Sequence, residues 1–341
     1  MIEIDGSDGE GGGQVVRNSC ALSLVTGKPF RIIHVRGQRS KPGLMRQHVT
    51  AVEAAARIGG AEVTGAQVGS HTLEFHPGTV RPGEYHFAIG TAGSTGLVLQ
   101  TVLMPLALAD APSRLVLEGG THAMLAPPFD FIERTFLPVV NRMGPKVEAR
   151  LVRHGFYPRG GGRIEVDITP APLQPLDLHD GGAFDGGTAQ VLFAGLPRDI
   201  AERMIARARK ELAEWPDEAF VLRELPADQG PGVILMIAAR KDAVTELASG
   251  FGQLGVPAER VARVAAGRLK GYLSSSAFAG PYLADQLVLP FALAGSGSFT
   301  TVKPSGHLLT AIALAERFLG RPIALRQEPC GRHLVAFAGC G

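Results

Sequence analysis

Aromatic residues are scarce in this sequence. Among 341 residues there are one Trp and four Tyr, and aromatic residues make up 6% of the chain. A broad aromatic platform, on which proteins stack the bases of single-stranded nucleic acid, is therefore not expected. Charge of one sign is also missing, since 34 basic residues stand against 32 acidic ones. Any contact with nucleic acid has to come from a local basic patch and not from the net charge.

Long apolar runs are absent as well. The most apolar stretch, Leu97 to Ala109, is well short of the roughly 20 residues that a membrane-spanning helix needs. The N-terminal segment MIEIDGSDGE carries a charge at its third residue and has no apolar run after a basic start, so it does not resemble a signal peptide. These features predict a cytoplasmic protein without a membrane segment.

Cysteine is rare and shows no pattern. Cys20, Cys330 and Cys340 are odd in number and lack CxxC spacing, which predicts reduced thiols and argues against a disulfide framework or a thiolate metal site. The ten histidines are scattered without an HxxxH or HExxH pair. A zinc enzyme is therefore not expected.

Apolar residues and glycine, in contrast, are abundant. The hydrophobic fraction of 45% is enough for a substantial core and excludes a disordered chain. Glycine accounts for 44 residues without a regular period, which indicates tight turns and close backbone approaches. The length allows one large domain or two ordinary ones.

A pattern of turn, strand, Gly/Pro loop and helix occurs three times. The three copies begin at Thr26, Ala109 and Ala294. An apolar helix precedes each copy, two strands follow it, and one further strand leads into each apolar helix. The sequence therefore predicts an α/β fold built from three repeated units, each with the order strand–helix–strand–helix–strand–strand.

The spacing of the three copies indicates an insertion. Ala109 follows Thr26 by 83 residues but precedes Ala294 by 185, which leaves 102 surplus residues in the second interval. Within that interval two strands, TAQVLFAGL and GVILMIAA, alternate with two helices, RDIAERMIARARKELAEW and PAERVARVAAGRLKGYLSSS. We predict a large domain over residues 1–180 and 277–341, interrupted by a smaller α/β domain over residues 181–276.

Two segments of the first unit are candidates for binding anions. GEGGGQVVR, from Gly9 to Arg17, places a carboxylate beside a Gly-rich turn but lacks the Lys-Ser/Thr ending of a P-loop. A tight turn that needs positive φ is the alternative. HVRGQRSKPGLMRQH, from His34 to His48, is rich in basic residues and leads into a helix whose N-terminus attracts anions. An ordinary solvated loop is the alternative there.

Two segments of the third unit suit nucleotide chemistry. KPSGHLLTAI places His307 near a helix start, where the imidazolium cation is disfavoured and the neutral, nucleophilic form is favoured. A capping role is the alternative. In GPYLADQLVLP, Tyr282 can stack on a base and Asp285 can accept from a ribose hydroxyl. The alternative is helix capping by Asp285 with Tyr282 at the core edge.

Several strings of this sequence, taken in order, resemble the motifs of RNA 3′-terminal phosphate cyclases. They are GEGGGQ, RSKPGLMRQH, TAGSTGLVLQTVL, HGFYPRGGG, DQGPG, YLADQLVLP and the SxHxxT pattern around His307. The resemblance runs from Ile4 to Ala336. It implies three βαβαββ units with an inserted smaller α/β domain, and a fold similar to that of the enolpyruvylshikimate-phosphate synthases.

The resemblance also implies an activity. RNA 3′-terminal phosphate would be converted into a 2′,3′-cyclic phosphodiester through a covalent histidine–AMP adduct and an RNA–adenylate anhydride, with release of AMP and pyrophosphate. ATP would be the co-substrate, Mg²⁺ or Mn²⁺ the metal, and RNA with a 3′-phosphate end the partner. The oligomeric state stays open, a homodimer included.

The motifs assign roles to particular residues. His307 would be the catalytic nucleophile and Glu10 the metal contact. The residues around the adenosine would be Gln100, Pro127, Tyr282, Leu283, Ala284, Asp285 and Gln286. The residues for the phosphates and the RNA end would be Arg17, Arg36, Arg39, Gln47 and His48.

Three positions depart from what the resemblance leads us to expect. Pro281 precedes Tyr282 where relatives often carry an acidic residue, His122 replaces an Asn or Asp, and Ala311 follows HLLT where some relatives have Asn. The first two positions bear on local metal or phosphate contacts. None of the three is the nucleophile.

Two other functions compete with cyclisation. A non-enzymatic, RNA-binding ribosome-assembly factor of the same fold would have lost the nucleophile, whereas His307 is present. An enolpyruvyl transferase would have no use for a nucleotide-stacking YLADQ helix. Incubation with ATP and a divalent metal separates these functions, because only the cyclase gains the mass of one AMP.

Overall fold

The computed structural model describes residues 1–338, in which three successive units share one topology. The elements of the first unit are β1 (Ile2–Asp5), α1 (Gly13–Thr26), β2 (Phe30–Ile33), α2 (Arg46–Gly59), β3 (Glu62–Thr64) and β4 (Leu73–His76). Those of the second are β5 (Glu84–Ala88), α3 (Thr95–Ala107), β6 (Ser113–Gly119), α4 (Phe129–Phe131), a π-helical turn (Ile132–Phe136), α5 (Leu137–Arg142), β7 (Lys146–Arg153) and β8 (Gly162–Thr169).

The third unit is split by the insertion. It begins with the short strand β9 (Asp177–Leu178). The insertion follows as β10 (Phe184–Ala194), α6 (Arg198–Glu211), β11 (Phe220–Glu224), β12 (Gly232–Lys241), β13 (Thr245–Phe251) and α7 (Ala258–Leu273), with 3₁₀ turns at Asp217–Ala219 and Ala227–Gln229. The unit then resumes with α8 (Pro281–Ala294), β14 (Gly297–Thr301), α9 (Gly306–Leu319), β15 (Ile323–Gln327) and β16 (His333–Phe337).

Each unit forms a four-stranded mixed sheet with the same strand order. The first strand pairs in parallel with the second, and the fourth strand lies antiparallel between the second and the third. Parallel neighbours need a crossover connection, which passes through α1, α3 and α8 in the three units. The predicted fold of three repeated βαβαββ units with an inserted α/β segment is confirmed.

The second helix of the middle unit differs from its predicted form. The sequence predicts one continuous helix, whereas α4 and α5 are separated by a π-helical turn in which the Leu137 N–H bonds to the Ile132 carbonyl. Pro138 follows directly. Proline lacks an N–H and its ring clashes with the carbonyl four residues earlier, so a regular α-helical hydrogen-bond pattern cannot continue through Pro138.

The insertion contains two strands that the sequence patterns did not reveal. Strand β11 lies at the sheet edge and is largely exposed, and β13 has a mixed, weakly alternating composition. The sheet order is β11–β10–β12–β13, with β10 and β11 parallel. All elements from β10 to α7 lie within the predicted range 181–276. The domain boundaries themselves stay a prediction.

The sheet of the insertion is buried on both faces. Along β12, Ile234 and Met236 pack into the main core, whereas Leu235 and Ile237 pack against α6 and α7 in a second core. This explains why GVILMIAA is an uninterrupted apolar run, because neither face of the strand meets water. The insertion is therefore joined to the three units by a shared apolar interface.

The remaining composition-based expectations concern cysteines and membrane segments. Within residues 1–338, Cys20 and Cys330 form no disulfide, and Cys340 lies outside the described residues. Across the same residues, none of the helices combines the length and apolar character that crossing a membrane requires.

The buried position of Leu235 generates a stability prediction. Leu235→Ala should lower the free energy of unfolding by about 2–5 kcal/mol, because a cavity replaces a side chain that is fully buried. Urea unfolding followed by circular dichroism measures the change. Val221→Ala on the exposed face of β11 is the control and should shift the value by less than about 0.5 kcal/mol. Equal effects of the two substitutions would contradict the assignment of the second core.

Candidate functional site

Helix α9 places His307 in its first turn. Ser305 is the N-cap residue, and its Oγ accepts a hydrogen bond from the N–H of Leu308 at 3.0 Å. Such a cap satisfies one of the free N–H groups at a helix start. The positive end of the helix dipole therefore lies beside the imidazole, where it attracts anions and disfavours imidazolium.

The tautomer of His307 is set by Gln14. His307 Nδ1 lies 2.9 Å from Gln14 Oε1, and Gln14 is buried in α1. An amide oxygen can only accept, so Nδ1 carries the proton. Nε2 is left with its lone pair and is the nitrogen that can act as a nucleophile or base.

Glu10 and Arg39 face that free nitrogen. Glu10 Oε1 lies 3.6 Å from His307 Nε2. Arg39 Nη2 donates to the same Oε1 at 3.0 Å and to the Glu10 carbonyl oxygen at 3.0 Å. The guanidinium thus balances the carboxylate charge beside the histidine, and it remains half-exposed toward any ligand.

The pKa of His307 is lowered. Burial is the main cause; Glu10 opposes it, and the positive charges of Arg17 and Arg39 add to it. A histidine with a lowered pKa is neutral at neutral pH. The ring is therefore in its nucleophilic form without the need for a separate base.

A glycine-rich turn connects the first unit to α9. The Glu10 N–H donates to Thr310 Oγ1 at 3.0 Å, and that hydroxyl donates to the Gly306 carbonyl oxygen at 2.9 Å. Gly9 and Gly11 have φ of +60° and +56°, values that glycine adopts without strain. The tight-turn interpretation of this segment is confirmed, and the turn is also what carries Glu10 to His307.

The same turn lies against the start of α2. A Cβ atom at Gly13 would be 2.2 Å from His48 Nε2, and one at Gly12 would be 2.8 Å from Arg39 Nη2. Side chains at these positions would displace the histidine and the arginine. The absence of side chains thus lets basic groups approach the backbone closely.

Arg36 holds its own loop together. It is largely buried, with φ of +54°, and its Nη1 donates to the carbonyl oxygens of Lys41 and Gly43, both at 2.8 Å. Burial lowers its pKa, and neighbouring Arg39 adds to the effect. Its charge contributes to the site, but part of its hydrogen-bonding capacity is spent within the loop.

His48 is also turned inward. Its Nδ1 accepts the N–H of Met45, the N-cap residue of α2, at 3.0 Å. Burial lowers the pKa of His48 to about 3, and the positive charges of two nearby arginines add to the shift. The ring is therefore neutral, and it can meet a phosphate only through its Nε2–H donor.

Arg17 and Asp285 form the buried flank of the site. Burial lowers the pKa of Arg17 to about 10, against the attraction of Asp285, and burial raises the pKa of Asp285 to about 8. Within residues 1–338 the buried Arg17 Nε has no hydrogen-bond partner. An unsatisfied buried donor on a cation is costly, and an anionic ligand would supply the missing acceptor.

Three of the predicted adenosine residues meet between α3 and α8. Gln100 Nε2 donates to Gln286 Oε1 at 2.7 Å, and Gln286 Nε2 donates to the Tyr282 carbonyl oxygen at 3.1 Å. The Tyr282 side chain is 39% exposed, so its ring is available for stacking. Leu283 and Ala284 are buried in the core, so only their backbone groups are available.

Gln47, predicted for the RNA end, and Pro127, predicted for the adenosine, stand apart from the other predicted site residues. Gln47 Oε1 accepts the N–H of Ser94, the N-cap residue of α3, at 3.4 Å. Pro127 is half-buried in the loop before α4. Among residues 1–338, no hydrogen bond or ion pair joins Gln47 or Pro127 to the group formed by Glu10, Arg39 and His307.

Comparison with known proteins identifies the family. The sequence model for RNA 3′-terminal phosphate cyclase matches residues 8–325. The RNA 3′-terminal phosphate cyclase of Koribacter versatilis is 50% identical over 336 residues, covering 97% of this chain and 94% of that protein. The chain belongs to the RNA 3′-terminal phosphate cyclase family. The cyclase of Ectopseudomonas mendocina is 49% identical over 327 residues (96% and 95% coverage), and that of Ralstonia nicotianae 49% over 329 residues (96% and 94%).

A solved structure was matched as well. The enolpyruvyl transferase NikO from Streptomyces tendae covers 100% of this chain with 49% of its own length, at 12% identity and a TM-score of 0.40. The TM-score is too low for anything further to rest on this match.

In this cyclase-family chain, His122 belongs to a separate buried network. Its Nε2 lies 3.0 Å from Asp130 Oδ2 and its Nδ1 lies 2.9 Å from Thr121 Oγ1. The trio has the composition of a hydrolase triad, but Thr121 Oγ1 also accepts the Gly155 N–H at 3.0 Å and both Thr121 and His122 are buried. The network therefore holds the loop after β6 against the β7–β8 hairpin.

Two residues that support the cyclase-family site were missed by reasoning from sequence. Gln14 lies within the GEGGGQ motif and Thr310 within SxHxxT, but the sequence assigns neither residue a role. Gln14 is 293 positions away from the histidine that it contacts. No local pattern could pair these two residues, because only packing of α1 beside α9 brings them together.

Proposed function

We propose that this chain converts the 3′-phosphate end of RNA into a 2′,3′-cyclic phosphodiester in an ATP-dependent reaction with His307 as the nucleophile. The observation that supports this role most directly is the bond between His307 Nδ1 and Gln14 Oε1. It leaves Nε2 unprotonated at a helix N-terminus, next to Arg39. A neutral nitrogen in a site that attracts anions suits attack on the phosphorus of a nucleotide.

The first step forms the histidine adduct. His307 Nε2 attacks the α-phosphorus of ATP, an N–P bond forms, and the bond from that phosphorus to the bridging oxygen breaks, so that pyrophosphate leaves. The ring gains a positive charge while Nδ1 keeps its proton. Gln14 Oε1 accepts that proton's hydrogen bond, and Glu10 lies 3.6 Å from the attacking nitrogen, so both groups stabilise the cationic ring.

The second and third steps transfer AMP and close the ring. An oxygen of the RNA 3′-phosphate attacks the adenylyl phosphorus, the N–P bond breaks, and neutral His307 is restored. The neighbouring 2′-hydroxyl then attacks the 3′-phosphorus, loses its proton, and displaces AMP. AMP is a good leaving group, and the free 3′-phosphate has none. Ring closure also benefits from proximity, because the 2′-hydroxyl and the 3′-phosphorus belong to the same nucleotide.

The adenosine would lie between α3 and α8. Tyr282 offers a ring for stacking, and Gln100 and Gln286 offer amide groups at one end of that space. Asp285, whose pKa is raised by burial, would accept from or donate to a ribose hydroxyl. Pro127 would cover the opposite face of the base, with backbone groups of Leu283 and Ala284 completing the pocket.

The phosphates would lie against the arginines. Among the described residues 1–338, the buried Nε of Arg17 has no hydrogen-bond partner, and Arg39 is half-exposed next to Glu10. Arginine binds phosphate oxygens with charge-assisted hydrogen bonds. The loop with Arg36, Arg39, Gln47 and His48 would then also contact the RNA end, His48 through its Nε2–H.

A divalent metal fits Glu10 only as a partner of the bound phosphates. Within residues 1–338, no three His, Cys, Asp or Glu side chains form a metal cluster. Mg²⁺ is commonly held by one or two carboxylates together with substrate phosphates. Glu10 would hold the cation while Arg39 and His307 both face its Oε1. Mg²⁺ or Mn²⁺ there would neutralise negative charge on the triphosphate.

The first prediction tests the nucleophile. His307→Ala should abolish AMP incorporation from ATP labelled in its α-phosphate, because it removes the unprotonated Nε2 that would attack the phosphorus. Folding should be unaffected, since the side chain is half-exposed. Intact-mass spectrometry measures the adduct, and His71→Ala on an exposed loop is the control. An adduct that persists in the His307 variant would contradict the assignment, and a wild-type protein without any adduct would favour the RNA-binding alternative.

The second prediction tests the stacking role of Tyr282. Base stacking on an aromatic ring contributes roughly 1–3 kcal/mol, so Tyr282→Ala should weaken the use of ATP about 5- to 150-fold. Tyr282→Phe should be nearly silent, because the ring is kept. The KM for ATP in the adenylylation reaction measures both. Equal losses in the two variants would show that the hydroxyl group, and not the ring, binds the nucleotide.

The third prediction separates the steps at Arg39. A charge-assisted hydrogen bond to phosphate contributes about 1.5–3 kcal/mol, so Arg39→Ala should slow AMP transfer to RNA roughly 10- to 150-fold. Enzyme–AMP formed beforehand is mixed with 3′-phosphate RNA without ATP, and the cyclic end is quantified by its resistance to phosphatase. Arg317→Ala on the exposed face of α9 is the control. Normal cyclisation by the Arg39 variant would refute a contact with the RNA end.

A further inference from the structure

A carboxylate from the insertion reaches the helix that carries the adenosine residues. Glu246 lies on β13 and is 3% exposed. Its Oε2 accepts the N–H of Gly280 at 2.9 Å. Gly280 is the N-cap residue of α8, two positions before Tyr282.

This contact replaces a cap that α8 lacks in its own sequence. Gly280 has no side chain, and the third residue of the helix is Leu283, whose side chain has no atom that can accept a hydrogen bond. In a capping box a Glu or Gln at that third position accepts the N–H of the N-cap residue. Here Glu246 does so from a different element. A negative charge at this place also complements the positive end of the helix dipole.

The carboxylate lies directly over the glycine. A Cβ atom at Gly280 would be 2.6 Å from both Cδ and Oε1 of Glu246. The neighbouring segment is fixed as well, since the Ala279 N–H donates to the Thr300 carbonyl oxygen at 3.0 Å and Tyr272 Oη donates to the Phe278 carbonyl oxygen at 2.8 Å. Glu246 is therefore packed against the point at which α8 begins.

The charged surroundings of Glu246 come from several elements. Lys241 on β12 and Asp285 on α8 interact electrostatically with Glu246, and Asp180 before β10 interacts with Lys241. Lys241 is largely buried, with its ammonium group 4.6 Å from the centre of the Tyr272 ring. Burial raises the pKa of Glu246 to about 7, and the hydrogen bond from the Gly280 N–H and the positive charge of Lys241 oppose that rise.

We propose that Glu246 is a positioning residue for the nucleotide: it holds the first turn of α8 so that Tyr282 and Asp285 meet ATP in the binding orientation. The inference rests on the proposed function, because it takes these α8 residues as the adenosine site. It assigns the insertion a direct part in nucleotide binding. The hydrogen bond, and not the charge alone, carries this role, since the distance to Gly280 is what sets the helix start.

Three substitutions at Glu246 separate the effect of the side-chain length from the effect of its charge. Glu246→Gln keeps the length and an acceptor oxygen, and should retain near wild-type affinity for ATP. Glu246→Asp keeps the charge but is one methylene shorter, and Glu246→Ala removes the acceptor; both should weaken affinity about tenfold, a factor that corresponds to about 1.4 kcal/mol. Asp242→Asn is the matched control, because that carboxylate also accepts a backbone N–H, from Ala183 at 2.8 Å, but does not contact α8.

The test measures binding and chemistry in the full-length protein. Calorimetry with α,β-methylene-ATP, which cannot lose pyrophosphate, gives Kd independently of the adduct. Adenylylation by ATP gives KM and kcat. The proposal expects Kd and KM to rise together in Glu246→Asp and Glu246→Ala, with kcat at saturating ATP changed less than threefold. Thermal unfolding of each variant identifies any that fail to fold. If Glu246→Ala fails to fold, the comparison of Kd between Glu246→Gln and Glu246→Asp still tests the capping role.

The outcomes are distinct. A Kd unchanged in Glu246→Asp, or raised in Glu246→Gln and not in Glu246→Asp, would overturn the capping role. An equal rise in Asp242→Asn would show that the insertion acts only through its general stability. A wild-type protein that binds α,β-methylene-ATP but forms no adduct would contradict the proposed histidine chemistry alone, and the Kd series would still judge Glu246.

Discussion

The contact between the glycine-rich turn of the first unit and the first turn of α9 is the constraint on which the site depends. Glu10 donates its N–H to Thr310, and Gln14 accepts from His307. These bonds join segments that are about 300 positions apart in the chain. They hold only because α1 packs beside α9 in the common core. If that packing were lost, the tautomer of His307 and the position of Glu10 would both be undetermined.

The electrostatics of the site follow from this packing. Burial removes water from around Arg17, Asp285 and His307, and in a low-dielectric environment each remaining charge acts more strongly on its neighbours. Burial, to which the charges of Arg17 and Arg39 add, lowers the pKa of His307 and keeps its ring neutral, and the two arginines favour an anionic ligand. The Nε of Arg17, which has no partner in the part of the chain that the structure describes, is consistent with a site that is completed by phosphate. A neutral His307 ring beside cationic side chains thus follows from the same packing.

The insertion is part of this arrangement and not an appendage. Its sheet contributes one face to the main core and the other to its own helices. Through Glu246 it also reaches the start of α8, close to residues that we assign to the adenosine. An insertion between β9 and α8 keeps the βαβαββ topology of the third unit, because α8 still returns the chain to pair β14 with β9. The interruption therefore adds a contact to α8 without changing the sheet.

Much of the fold and the centre of the site follow from local sequence patterns. Repeated strand–helix patterns, glycine turns and the 102-residue surplus are sufficient to predict three units with an insertion, because each depends on residues near one another in the chain. His307 at a helix start is predictable for the same reason. Local patterns did not reveal the π turn or strand β13. The only local sign of the π turn is Pro138, and the only sign of β13 is a weak alternation of apolar and polar residues.

The tertiary structure alone decided which partners the site residues contact. Three features depend on contacts between distant segments: Gln14 fixes the tautomer of His307, His48 is turned inward as a neutral ring, and Glu246 caps a helix of another unit. Such contacts are set by how the cores pack.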